Sequence, residues 1–356
     1  MKAFDVEKYL RRNPPPALPP AAAGYRHAAV IPVYNELHDF AAMEHSLRMA
    51  LASSPGSVAV IAVVNYPAGS SSAESEELLR LIGDGVFPGV IPLYLPEFTG
   101  GVGGARKAGM DAFIALVPPE EMEHRVLFSL DADTLVSPDY FADVLPEALR
   151  GGAVSIGFSH RPAADAAHQR AIDRYEAYLR RYVEKLRQAG SPYAFFTVGS
   201  AFAVRCDAYL RAGGMKVRHA GEDFYFLQEA AKTSSVRSLE KTLVFPSPRI
   251  SFRVPFGTGQ AVASLLRGEE LPEIPDPAFS VLAMVLAAAR DELPGGVERF
   301  LRRLPAAAAE FFLKEGFPDV WRGILRNLPS RPSALPQAFH RWFDGLKTLR
   351  FLHFLG

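Results

Sequence analysis

Short apolar runs alternate with longer amphipathic stretches through the first 130 residues, and this alternation limits the fold more than any other feature of the chain. The runs are residues 28–33, 58–64, 90–94 and 126–130. Helices are expected between them, over about 37–51, 72–82 and 103–116. Strands separated by helices imply an α/β fold with a mostly parallel central sheet and helices on both faces. Such sheets bind ligands outside the C-terminal ends of their strands. Glu36, Asn65, Asp131 and Asp133 all follow those ends.

The fourth run finishes in two carboxylates spaced i, i+2, in Ser129-Leu130-Asp131-Ala132-Asp133-Thr134. Two carboxylates about 5 Å apart repel by roughly 3 kcal/mol at an effective dielectric near 20. A compensating positive group is expected, and a divalent cation is the simplest. On an extended chain alternate residues point the same way, so both acids could address one ion. The alternative is a strand-end turn with solvated acids.

Three further segments carry chemistry. Gly100-Gly101-Val102-Gly103-Gly104-Ala105-Arg106-Lys107 opens a helix. Glycines admit close backbone approach, and a helix N-terminus favours anions. Basic residues oppose the dipole there, which suggests a phosphate partner. A turn with solvated basic residues is the plainer reading. Glu222-Asp223 starts another helix, as caps or as a general base for an attacking hydroxyl. Arg253 lies in a glycine-containing loop that could close over a ligand or be ordinary surface. His160 and His219 stand near these motifs as candidate third metal ligands, with water as the alternative.

Composition narrows the class. Lys plus Arg and Asp plus Glu are balanced at 39 each, so no global field favours nucleic acid. One cysteine, Cys206, excludes an internal disulfide and fits a reducing, cytoplasmic compartment. The charged first twelve residues do not read as a secretory signal. The longest apolar run, 279–289, is too short to span a bilayer. Residues 1–24 read as a short helix followed by a proline-rich arm, 25–259 as the main domain, and 260–356 as a helical extension. Within the main domain, strands are expected at 153–158 and 198–205, and helices at 163–189 and 220–231. For the extension an acceptor site, a dimer contact, a peripheral membrane surface and simple packing all stay open.

Taken together, these segments resemble family 2 glycosyltransferases of the nucleotide-sugar-binding GT-A fold, over about residues 28–259. Ile31-Pro32-Val33-Tyr34-Asn35-Glu36 resembles the family's opening motif, which implies that Pro32, Tyr34 and Glu36 help hold the nucleotide. The stretch through Gly103, Arg106 and Lys107 is similar to the segment that contacts base and phosphates. Asp131-Ala132-Asp133 resembles the DxD motif, which implies Mg²⁺ or Mn²⁺ bound by Asp133 with help from Asp131. Glu222-Asp223 resembles the acidic pair whose second member is the catalytic base. Asn65 stands where the family usually has an Asp pair that reads the base, so the nucleotide's identity is open. The Gln-x-x-Arg-Trp motif of processive synthases is missing. The resemblance implies non-processive transfer of one sugar from a nucleotide-diphosphate donor, with inversion. Arg253 would share the diphosphate's charge, and the acceptor is unassigned among glycan, lipid and small molecule.

Three other readings compete. Asp131-Ala132-Asp133-Thr134 after a strand also resembles the nucleophile motif of the haloacid-dehalogenase phosphatases, with Asp131 as nucleophile, although that motif normally opens its domain. A sugar nucleotidyltransferase would want a glycine-rich basic loop after the first strand, where Tyr34-Asn35-Glu36 stands. A non-catalytic sugar- or partner-binding protein on the same scaffold is the third.

Overall fold

The computed structural model describes residues 5–53, 57–218, 221–250, 257–328 and 334–356. The chain divides into two compact units, residues 1–176 with 195–269, and residues 177–194 with 270–356.

The first unit is α/β. In chain order it runs α1 (Val6–Arg12), β1 (His27–Val33), α2 (Leu37–Ala52), β2 (Val58–Asn65), α3 (Ala73–Gly83), β3 (Val90–Leu95) and α4 (Gly101–Ile114). Then come β4 (Val126–Ser129), β5 (Leu135–Val136), α5 (Tyr140–Gly151), β6 (Gly152–Phe158) and α6 (Ala166–Gln188), within which the units divide. β7 (Phe202–Arg205), α7 (Cys206–Arg211), α8 (Glu222–Thr233), β8 (Ser235–Phe245) and α9 (Thr258–Leu266) complete it. One sheet has the order β3-β2-β1-β4-β7-β6-β8-β5. β7 and β5 run against the other six strands. The expected α/β class with a mostly parallel sheet is therefore what the chain adopts.

Every residue of β1 and β2 is buried. Successive side chains point to opposite faces, so both faces must be covered. That is why these runs are uninterruptedly apolar. α4 lies close over β1 and β2 because Gly109 has no side chain. A Cβ there would stand 2.5 Å from Val30 Cγ1 and 2.7 Å from Val63 Cγ2. Gly109→Ala is expected to destabilise the protein by about 1–3 kcal/mol through overpacking. Urea unfolding would show this as a lower midpoint, and an unchanged midpoint would refute the close approach.

α1 is fixed to the sheet unit by Tyr9, whose hydroxyl donates to Asp111 Oδ1 at 2.9 Å. Tyr209 donates to the same oxygen at 2.7 Å. Lys107 closes the cluster, donating to Tyr9 Oη at 3.1 Å and to Asp111 Oδ2.

The structure departs from expectation in several places, among them the short β5 and α7. The strand expected over 198–205 begins only at Phe202, and residues 198–201 form a loop above the sheet end. β8 has no counterpart in the sequence reading, because its first eight residues are largely exposed and polar. α5 was likewise not expected, though it buries Tyr140, Phe141, Val144, Leu145 and Ala148 along one face.

The second unit is helical, with α10 (Asp276–Glu292), α11 (Val297–Arg303), α12 (Ala306–Lys314), α13 (Phe317–Asn327), α14 (Leu335–Trp342) and α15 (Gly345–Leu355). Its core is dominated by aromatic rings. Phe300 meets Phe312 edge-on at 5.1 Å between centroids, and Phe311 meets Phe351 at 5.1 Å. Phe351 and Leu352 are fully buried in this cluster. Packing within the helical unit thus accounts for Phe351 and Leu352, while Phe354 stays 39% exposed. Among the described residues no helix is long and apolar enough to cross a membrane.

Candidate active site

The sheet gathers polar side chains at one edge. β1, β2, β4, β6 and β8 all finish there, and β7, running the other way, begins there. After β1 the chain turns through Asn35, whose φ of 50° is left-handed, a conformation Asn tolerates better than most residues. This sets Glu36 at the start of α2, 6% exposed. After β4 the backbone does not stay extended. Thr134 N–H donates to the Asp131 carbonyl at 3.1 Å, closing a turn. Asp131 and Asp133 therefore address the site from a turn rather than from one face of a strand.

Arg106 of α4 is the hub. It is 1% exposed. Its Nη1 donates to Ser129 Oγ at 2.7 Å and to the Leu130 carbonyl at 3.3 Å. Its Nη2 meets Asp131 Oδ1 at 2.9 Å and Glu222 Oε1 at 3.6 Å. A charge this deep is tolerable only when paired and hydrogen-bonded. Arg106 thereby ties the end of β4 to the first turn of α8, segments about ninety residues apart in sequence.

Two glycines make that approach possible. A Cβ on Gly103 would stand 2.9 Å from Glu222 Cβ. One on Gly199 would stand 2.9 Å from Arg106 Nη2 and 3.4 Å from Asp223 Oδ2. The Gly199 carbonyl accepts from Ser129 Oγ at 2.7 Å, which holds the 198–201 loop over the site. Close packing of protein on protein is thus one reason for the glycines at the start of α4.

Asp223 is half-buried beside Gly199 and Arg106. Its Oδ1 accepts from Phe224 N–H at 2.7 Å, while Oδ2 lies beside Gly199. Burial, and then the neighbouring Glu222 charge, push the Asp223 carboxyl up to about 7. A carboxylate ionising near neutrality, with Oδ1 held by a backbone N–H, is suited to take a proton through its other oxygen.

A second cation, Arg249, follows β8. It grips Glu36 through both Nη atoms, and its Nε lies 3.0 Å from Asp133 Oδ2. Burial, with Asp131 second, pushes Asp133 up to about 7, and the Arg249 charge only partly opposes this. Arg161, after β6, donates to the Asp133 carbonyl at 3.0 Å and to Asp39 Oδ1 at 3.3 Å. Six carboxylates (Glu36, Asp39, Asp131, Asp133, Glu222 and Asp223) face three guanidiniums.

The residues expected from the sequence divide. Glu36, Arg106, Asp131, Asp133, Glu222 and Asp223 meet at this edge. Arg106 serves buried protein groups rather than presenting an open cation. Lys107 joins the Tyr9–Asp111 cluster. Asn65 reaches the edge, but its amide donates to the carbonyls of Val33 at 3.2 Å and Val63 at 3.0 Å, clipping β2 to β1. Pro32 is buried in β1 and Tyr34 is half-buried just after it. His160 is held by Glu176, whose Oε1 lies 2.8 Å from Nδ1 and accepts from the backbone N–H at 2.6 Å. Arg253 and His219 lie outside the described residues. Arg249, Arg161, Asp39 and Gly199 were not expected from the sequence. For Arg249 a hint existed, since it stands four residues before Arg253 in the same basic segment.

Oxygen donors on Asp131 and Asp133 are the hard ligands that suit Mg²⁺ or Mn²⁺. Among the described residues no three His, Cys, Asp or Glu side chains cluster to hold an ion by themselves. The protein's share would be two carboxylates, with phosphate oxygens and water completing the set, as is usual for Mg²⁺. The carboxylate surplus fits such an ion. A small cavity of ≈ 100 Å³ by Tyr25, Leu47, Val58 and Val90 lies at the starts of β2 and β3, away from this edge.

No protein-family model and no curated protein matches the sequence. Solved structures resemble it at low identity. Residues 1–349 of S. aureus TarS in complex with UDP-GlcNAc share 10% identity over 86% of this chain and 93% of that one, with a TM-score of 0.46. The mannosyltransferase PcManGT from Pyrobaculum calidifontis, in complex with GDP-Man and Mn²⁺, shares 16% over 97% and 92%, at 0.43. Glucosyl-3-phosphoglycerate synthase from Mycobacterium tuberculosis, in complex with UDP, shares 13% over 81% and 84%, at 0.36.

Proposed function

We propose that this chain is a glycosyltransferase of the GT-A type, similar to family 2, which moves one sugar from a nucleotide-diphosphate donor to an acceptor hydroxyl with inversion. The observation that carries the reading is Arg106, which joins Asp131 at 2.9 Å to Glu222 at 3.6 Å and so brings the paired aspartates and the acidic pair into one crevice. The order of the sequence motifs supports it independently.

In this reading Asp223 Oδ2 takes the proton from the acceptor hydroxyl as its oxygen attacks the anomeric carbon. The bond from that carbon to the diphosphate breaks on the opposite face, and the electron pair leaves with the diphosphate. Glu222 and Arg106 hold Asp223 and Asp131 in place. Glu36, with Tyr34 and Pro32 beside it, borders the nucleotide. Mg²⁺ or Mn²⁺, held by Asp131 and Asp133, would supply charge neutralisation at the diphosphate. A phosphatase would instead attack with Asp131, whose Oδ1 is occupied by buried Arg106.

A thermal-shift screen against UDP-, GDP-, CMP- and TDP-sugars, with and without Mn²⁺, tests the reading. Ligand at about 100 times its dissociation constant stabilises the folded state by roughly 2.7 kcal/mol. One nucleotide is expected to raise the melting temperature, and to do so more with Mn²⁺. No shift with any donor would count against it.

A further inference from the structure

Arg249 differs from the other two arginines of the site. Arg106 is fixed from four sides and has no exposed surface with which to move. Arg161 meets Asp133 only at its backbone carbonyl. Arg249 touches the carboxylate itself, with Nε 3.0 Å from Asp133 Oδ2, and spans to both oxygens of Glu36. Its side chain is 36% exposed, against 2% for Arg106. It is the guanidinium that stands on a predicted metal ligand and still has an open side.

The charges around it explain the placement. Asp133 lies within electrostatic reach of Asp131, Glu36 and Asp39, and Arg249 is the cation that faces it. Three acids around a fourth need positive charge whether or not a metal is present. The carboxylates that Arg249 meets are only 6% and 12% exposed, so the open side of the pair is the guanidinium's, and that is the side from which an incoming ion or anion can reach it. A guanidinium also suits a second partner, because its planar fork pairs with phosphate as readily as with carboxylate.

We propose that Arg249 is an exchangeable counter-ion: it occupies Asp133 and Glu36 until a divalent cation takes Asp133, and the released guanidinium then pairs with the donor's diphosphate. This rests on the glycosyltransferase reading above, since it needs both a metal and a diphosphate. Metal and donor would then bind together. Without nucleotide the guanidinium competes with the ion, and with nucleotide it has an anion to receive it.

The test reads metal uptake rather than turnover. Free Mn²⁺ is followed by electron paramagnetic resonance as it is titrated with wild type, Arg249→Gln and Arg249→Lys, alone and with UDP or GDP. Removing a like charge from about 3 Å away is expected to tighten binding of Mn²⁺ alone by roughly tenfold in Arg249→Gln. Arg249→Lys keeps the charge but not the fork, so its uptake of Mn²⁺ alone should stay nearer wild type than that of Arg249→Gln, while its nucleotide binding is only partly kept. With Mn²⁺ present, Arg249→Gln should bind the preferred nucleoside diphosphate about tenfold more weakly. Equal or weaker uptake of Mn²⁺ alone by Arg249→Gln overturns the exchange, whichever nucleotide the site prefers. If wild type takes up Mn²⁺ with nucleotide and Arg249→Gln matches it throughout, the exchange alone falls. If no variant takes up Mn²⁺ under any condition, the metal-dependent donor reading falls and the exchange with it.

Discussion

Asp223→Asn is expected to lose transfer by about 10²–10⁴-fold while still binding donor, because the amide keeps the shape of the carboxylate and cannot take the acceptor's proton. The pH dependence should agree. Burial and the Glu222 charge raise the Asp223 carboxyl from its ordinary 3.8 to about 7, so wild-type transfer should climb as pH passes through 7. Stability should move the other way. Between those two values the folded state holds a proton that the unfolded chain has released. This contribution is complete below the unfolded value and is lost as pH rises through the folded one. Asp223→Asn removes the term, so at pH 8 the inactive variant should melt above wild type, with little difference near pH 4. Product assays and melting curves at both pH values check the two halves. Normal turnover by the variant would remove Asp223 from the mechanism.

Removing Arg106 should have the largest effect on stability. Arg106→Met leaves Glu222, 5% exposed, without its buried partner, and strips the donors from Ser129 and the Leu130 carbonyl. Breaking a buried pair from one side costs about 3–5 kcal/mol, and the lower end applies here because Asp131 is part-exposed. Lysine should not rescue, since one ammonium cannot reach all four partners of the fork. Adding Glu222→Met should recover part of the loss, because the stranded charge is then gone. Urea unfolding of the three variants measures this. An unchanged midpoint in Arg106→Met would mean that the hub does not hold the crevice together.

The parts of this fold that are legible in the sequence are those whose burial is two-sided. β1, β2 and β4 are buried throughout and almost wholly apolar, and their boundaries fall within a residue or two of expectation. β8 is not legible, because only its last few residues are buried and the rest alternates polar groups over a largely exposed surface. The candidate site follows the same division. Its acids were visible because carboxylates at the end of a buried strand are costly, whereas Arg249 sits in a loop whose partners lie more than a hundred residues away. The glycines of α4 were visible too, but two causes share one signature. Gly103 and Gly109 allow α4 to approach Glu222 and the sheet, a need that sequence cannot separate from approach to a phosphate.

The central claim is that Asp131 and Asp133 hold the cation side of a nucleotide-sugar site whose other wall is Asp223. Diffraction from crystals grown with Mn²⁺ and the nucleotide found in the screen tests this most directly, because Mn²⁺ scatters anomalously. The account predicts an anomalous peak on the carboxylate of Asp133, shared with Asp131, with the diphosphate beside it and Asp223 Oδ2 facing the sugar position. A nucleotide bound elsewhere, with no peak at these aspartates and the Arg249–Asp133 pair still closed, would contradict it.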